Sequence, residues 1–333
     1  MKAFINAISY YLPEKVLDNH QISLEHPEWA ADKISQKTGI YKRHIAAHDE
    51  SAGDMAEKAG KKLLAETKVE ASGIDFLLYC TQSPDFFLPT TACILQAKLS
   101  LPTSCGALDF NLGCSGYIYG LALSKSLIVS GIAKKVLLLT SETYTKFINP
   151  KDKSNKTIFG DAASASLITS EIGPYELGNF RLGTDGTGAE NLIVRFGAIR
   201  HKTDKGTDIF DSTGEFVKNE EYLFMNGQAI FSFTSITVPK LVNDVLLCNN
   251  LVKDEIDYFL FHQANKYMLE FIRKKIKVPL EKFIYYLEDI GNTVSNTIPI
   301  ALKEECTNKK KGNILIAGFG VGYSWGGCIL HSM

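Results

Sequence analysis

Short uninterrupted apolar runs punctuate this chain: Phe76-Leu77-Leu78-Tyr79, Val136-Leu137-Leu138-Leu139, Tyr258-Phe259-Leu260-Phe261 and Ile314-Leu315-Ile316-Ala317. Each is short for a helix and has no polar face, which predicts strands covered on both sides of a sheet, as in α/β proteins. Helical stretches separate them, among them Ala56 to Ala65 and Tyr117 to Val129. The N-terminal run ending at Ile8 meets Tyr10-Tyr11-Leu12-Pro13, a strand entering a turn rather than a signal segment.

The same pattern recurs. Gly73 to Tyr79 lies over Glu255 to Phe261 at an offset of 182 (257 − 75). Leu108 to Gly113 lies over Leu287 to Gly291, and Lys135 to Leu138 over Asn313 to Ile316, both at 178 (291 − 113 and 314 − 136). Ordered matches at nearly constant offset predict two copies of one α/β unit, 1–175 and 176–333. Residues 198–226 break the pattern with mixed Lys, Asp, Gly, Thr and Glu. They read as a surface lid on the second copy, with a disordered insert as the alternative.

Composition narrows the function. With 333 residues, 45% hydrophobic and 22% charged, the chain can bury two cores. Lys+Arg 36 against Asp+Glu 37 leaves −1, so no global field favours nucleic acid or an anionic membrane. No segment is expected to reach the apolar length of a membrane span. The cysteines, 7 in all, are scattered without metal-ligand spacing, which suits a reducing cytoplasm and no metal site.

Cys114 stands apart from the rest. It sits in Asn111-Leu112-Gly113-Cys114-Ser115-Gly116, between strand-like Leu108-Asp109-Phe110 and a helix, where free N–H groups and the positive helix end favour a thiolate. His262 follows the strand Tyr258 to Phe261, at the carboxyl end where α/β sheets place ligands. Asn292 follows strand-like Tyr285 to Leu287 and is the second-copy counterpart of Cys114, so the repeat aims both at one site. The glycine loop Gly318 to Gly327 lacks phosphate-loop and dinucleotide spacing, and offers N–H groups suited to an oxyanion hole.

Along nearly the whole chain these segments resemble the β-ketoacyl-acyl carrier protein synthase III family of thiolase-fold condensing enzymes. The carrying motifs include Thr38-Gly39-Ile40-Tyr41-Lys42-Arg43, Gly113-Cys114-Ser115-Gly116, Phe159-Gly160-Asp161, His262-Gln263-Ala264-Asn265, Gly291-Asn292-Thr293 and Gly320-Val321-Gly322-Tyr323-Ser324-Trp325-Gly326. The resemblance implies a thiolase-like fold, two pseudo-symmetric α/β halves with mixed sheets layered α-β-α-β-α. It also implies acyl transfer from a thioester to Cys114, then decarboxylative condensation with malonyl-ACP, assisted by His262 and Asn292. The implied oxyanion hole is the backbone of Cys114 and Val321, and the pocket takes in Leu88, Phe159, Gly320 and Gly322. Acyl carrier protein is implied to dock on Arg273, Lys274 and Lys275, and CoA to meet Lys33, Lys37 and Asn265. A homodimer is expected by analogy. No metal or redox cofactor is implied; acyl-CoA or acyl-ACP and malonyl-ACP are the substrates. The chain departs from the family where a Trp and Arg usually clamp CoA, having Lys33 and Lys37 there, and where a further Arg is Tyr267. Type III polyketide synthases and related acyltransferases of this fold share the Cys/His/Asn set and stay open as the alternative. A non-catalytic paralogue is the third reading.

Overall fold

The computed structural model describes residues 1–307 and 311–333. Nine strands make one mixed sheet: β1 Phe4–Tyr11, β2 Phe76–Cys80, β3 Gly106–Phe110, β4 Lys135–Glu142, β5 Ala162–Thr169, β6 Tyr175–Thr184, β7 Tyr258–Phe261, β8 Asn313–Gly320 and β9 Ser324–Ser332, in the order β7-β8-β9-β6-β1-β5-β4-β2-β3. β2 runs parallel to β3 and β4, as β7 runs parallel to β8. The halves join through a short antiparallel pairing of Phe4 with Glu176 and Ile5 with Tyr175.

Both-face burial explains the uninterrupted apolar runs. In β2, Leu77 and Tyr79 enter one core with Met55, Ala59 and Leu63, whereas Leu78 enters another with Tyr117 and Ile118. β8 divides likewise: Ile314 and Ile316 face the shared middle core, Leu315 and Ala317 the outer one. Helix Gly116–Val129 packs against strands of both halves and forms the middle layer, while Ala52–Thr67 covers the first half and Gly227–Cys248 the second. The result is the α-β-α-β-α stack, with the two half-sheets continuous through β1 and β6.

Two of these expectations need correction. Tyr285–Leu287 forms no strand; the counterpart of β3 is reduced to one bridge, Phe259 with Phe283. The Gln263 side chain takes over where the ladder stops, accepting from the Tyr286 N–H at 2.8 Å. Residues 198–226 are ordered: Ile209–Phe210 pairs with Phe216–Lys218, and Phe224–Met225 pairs with Leu192–Ile193. Finally, helix Gly227–Cys248 has 22 residues and is long and apolar enough to cross a membrane by length and composition. Here it buries Val238, Leu241, Val242 and Val245 against β9, β6 and β8. Pro239, Lys240 and Asp244 break its apolar run in the sequence and hid that length.

Candidate active site

The nucleophile turn is built by close approach. Cys114 lies between β3 and helix Gly116–Val129, and a Cβ on Gly116 would sit 2.3 Å from the Cys80 sulfur. A Cβ on Gly320 would come within 3.0 Å of the Cys114 Sγ, so only glycine lets β8 end beside the thiol. Ser115 and Ser324 hydroxyls, 2.6 Å apart, tie the turn to the start of β9.

His262 leaves β7 with its N–H donating to the Ala317 carbonyl at 2.8 Å. Its Nδ1 lies 2.7 Å from the Thr297 hydroxyl, which in turn lies 3.1 Å from the Val294 carbonyl. Asn292 follows Gly291, whose φ of +69° makes the turn that aims it, and its Oδ1 accepts from the Val294 N–H at 2.9 Å. That bond leaves the Asn292 NH₂ for the cavity. One residue, Val294, held at φ +57°, therefore anchors Asn292 directly, and its carbonyl lies within reach of the Thr297 hydroxyl beside His262.

These side chains meet. A cavity of about 160 Å³ is lined by Cys114, His262, Asn292, Phe159, Asn265 and Gly320, together with apolar Leu192, Met225 and Phe319. Burial pushes His262 down to about 3, with the Val294 carbonyl acting in the opposite direction, so the ring is neutral. The thiol departs from expectation. Burial, reinforced by Glu142, pushes Cys114 up to about 12, against the pull of the Cys114 and Val321 backbone N–H groups. Desolvation thus outweighs the helix end, and the resting sulfur is a thiol.

The remaining predicted residues divide. Asn265 lines the cavity and caps helix Lys266–Lys275. Leu88 is 83% exposed and lines neither this cavity nor the groove beyond Leu192, and Gly322 lies outside both. Arg273 is no free cation: it is paired with Glu270 at 2.9 Å and donates to the Val278 carbonyl. Lys274 and Lys275 are exposed. Lys33 and Lys37 line a separate cavity of about 230 Å³ with Trp29 and Ile158, and Ile158 also lines the Cys114 cavity. The Nζ of Lys37 and of Lys153 lie 5.7 and 5.9 Å from the Trp29 ring, so an aromatic face is present in the bend just before the helix Ala31–Thr38.

Two further residues had no signal of their own. Arg43 is fully buried and donates to Asn19 Oδ1 and the Thr157 carbonyl, both at 2.9 Å, fixing the segment that leads to Phe159. Asp161 accepts from the N–H groups of Ala46 and Thr145 at 2.8 and 3.0 Å, and burial raises it to about 6. Neither side chain lines the cavity; both brace the segments that form its wall.

Comparison with known proteins agrees with this geometry. The family described as 3-oxoacyl-[acyl-carrier-protein] synthase III matches residues 108–186, and its C-terminal part matches 246–332. A β-ketoacyl-[acyl-carrier-protein] synthase III of Clostridium perfringens is 34% identical, covering 96% of each chain. One from Streptococcus equi is 34% identical over 98% of each. A solved 3-oxoacyl-(acyl-carrier-protein) synthase III is 45% identical with a TM-score of 0.95, covering 99% of this chain and 100% of that one. A 3-oxoacyl-(acyl-carrier protein) synthase of Burkholderia xenovorans is 38% identical at TM-score 0.89, covering 100% and 94%.

Proposed function

The chain belongs to the β-ketoacyl-[acyl-carrier-protein] synthase III family of condensing acyltransferases, and from that membership we propose how its residues divide the work. Cys114 attacks an acyl thioester and keeps the acyl group, while the thiol proton leaves with the departing thiol. The backbone N–H groups of Cys114 and Val321 hold the oxyanion. A malonyl thioester on acyl carrier protein then places its carbonyl between His262 and Asn292. As CO₂ leaves, those two donors stabilise the enolate, which attacks the acyl-Cys114 carbonyl, forming the new C–C bond and expelling the Cys114 thiolate; the thiolate takes a proton from solvent as β-ketoacyl-ACP departs. The observation that carries this reading is the single cavity joining the three side chains.

The His262 role makes a demand on Thr297. A buried neutral imidazole carries one ring proton, and it donates from Nε2 only when Nδ1 accepts. Thr297 has one hydroxyl proton and two takers, Nδ1 at 2.7 Å and the Val294 carbonyl at 3.1 Å. Given to Nδ1, it puts the ring proton on Nε2. Thr297→Val is expected to slow malonyl-ACP decarboxylation about 10-fold or more while sparing acylation, with Thr297→Ser restoring the rate. Equal loss of both half-reactions would reduce Thr297 to a packing role.

The two carriers are assigned to different faces. Trp29, Lys33 and Lys37 offer a stacking face and cations for the nucleotide of a CoA-borne primer, whereas exposed Lys274 and Lys275 suit an acidic carrier protein. Trp29→Ala is expected to raise the KM for acyl-CoA alone, and Lys274→Glu with Lys275→Glu that for malonyl-ACP alone. The opposite pattern would refute the assignment. We also propose a homodimer, because edge strand β3 is unpaired on one side and leaves Leu108 47% exposed. Light scattering should give twice the mass of 36.8 kDa, and a monomer would reject it.

A further inference from the structure

Beyond Leu192, which lines both spaces, the Cys114 cavity meets a larger groove of about 690 Å³ lined by Gln82, Asn111, Tyr144, Val194 and Val321 among others. Much of its lining is apolar, Phe87, Phe147, Ile193 and Leu223 included, but one wall carries a chain of polar groups. The Tyr144 hydroxyl donates to Gln82 Oε1 at 2.6 Å, and Gln82 Nε2 donates to Asn111 Oδ1 at 3.1 Å. A Cβ on Gly113 would lie 2.5 Å from that Gln82 oxygen and 2.7 Å from Val321, so the amide rests against the residue before the nucleophile. Tyr144 is 4% exposed and fixed between Phe147 and Phe159, with ring centroids 5.9 and 5.2 Å away. Behind it the Glu142 carboxyl accepts from the Gln82 N–H at 3.0 Å, and burial holds it well above the usual carboxylate range.

The chain of bonds leaves capacity unspent. Gln82 Nε2 has a second N–H, Asn111 has its NH₂, and the Tyr144 oxygen still accepts. An alkyl chain laid against these groups would strip their water and return nothing, the circumstance in which polar sites discriminate most strongly. A charged chain fares no better. Among the described residues no lysine or arginine lines the groove, and the acid that does, Glu221, is 3.5 Å from Lys205. Burying an unpaired charge there is costly.

We propose that the groove beyond Leu192 receives a neutral oxygenated acyl group, a hydroxyacyl or ketoacyl primer, whose oxygen hydrogen-bonds the Gln82–Tyr144–Asn111 chain. This rests on the reading of Cys114 as acyl carrier. The test is competition: wild-type protein is given butanoyl-CoA and a hydroxybutanoyl-CoA isomer in equal amounts, isomer by isomer. The acyl-enzymes, which differ by one oxygen, are counted by intact mass. At least one isomer should outcompete butanoyl about 10-fold or more, and Gln82→Leu and Tyr144→Phe should each bring that ratio toward unity. Butanoyl winning or tying throughout would overturn the proposal, as would a preference that survives both variants. If other acyl-CoAs label Cys114 and none of these does, the proposal fails alone. If no thioester labels it, the acyl-carrier reading fails first and takes the proposal with it.

Discussion

Cys114→Ala will gain no acyl mass from any thioester and will lose condensation entirely, yet it will still decarboxylate malonyl-ACP. The separation follows from where the groups sit. Cys114 ends one half's turn, and His262 and Asn292 arise from the other half, each held by bonds that do not pass through the sulfur: His262 by Ala317 and Thr297, Asn292 by Ile158 and Val294. Removing the sulfur leaves the enolate donors in place. Radiolabelled CO₂ release beside intact mass measures both halves in one preparation. A variant that lost decarboxylation as completely as acylation would mean that the donors depend on the thiol, contrary to these contacts.

Asn292→Asp and His262→Ala should show the reverse. Each removes one preorganised donor from a buried cavity, a loss worth about 10²–10³ in rate for oxyanion-type donors. Acylation of Cys114 should stay within about 10-fold, since the oxyanion donors proposed for it are backbone groups. Asn292→Asp is the sharper of the two: the remaining oxygen can still accept from the Val294 N–H, so the turn survives while the NH₂ is lost. In the wild type, decarboxylation should be flat between pH 6 and pH 8, because burial holds His262 neutral with a value of about 3. A drop centred near 6.5, the ordinary histidine value, would show instead that the ring titrates in use. The same depression bears on stability. Because the folded-state value lies below the unfolded one, burial of neutral His262 supports the fold above the unfolded value, and this support is lost as pH falls toward 3.

What the sequence revealed depended on whether a feature was local. The apolar runs named their strands because burial on both faces writes itself as consecutive Leu, Ile and Val, and the constant offset survived because both halves keep the same parallel order. Tyr285–Leu287 failed by the same logic: an apolar string reads as a strand, but here a Gln263 side chain closes the bonds that a ladder would have made. Cys114 and His262 were legible as turns after strands, whereas Asn292 follows no strand and is aimed by Gly291; one cavity is lined by all three. The thiol's ionisation was not legible, because helix ends are visible in sequence and desolvation is not. Trp29 escaped because its place was sought at Lys33, in the helix that follows, and only packing shows it under Lys37 and Lys153. Arg273 was read as a free charge until Glu270, three residues away on the same helix, took it. Glu142 and Thr297 lie far from Cys114 and His262 in ordinary-looking segments, and their meaning exists only in the fold.

Whether an acyl group on Cys114 is consumed by condensation is tested most directly by isolating the acyl-enzyme and adding malonyl-ACP in a single turnover. The acyl mass should leave the protein as CO₂ is released and reappear on the carrier as a β-ketoacyl group. An acyl mass that stays on Cys114, or leaves only as free acid, would contradict the proposed condensation.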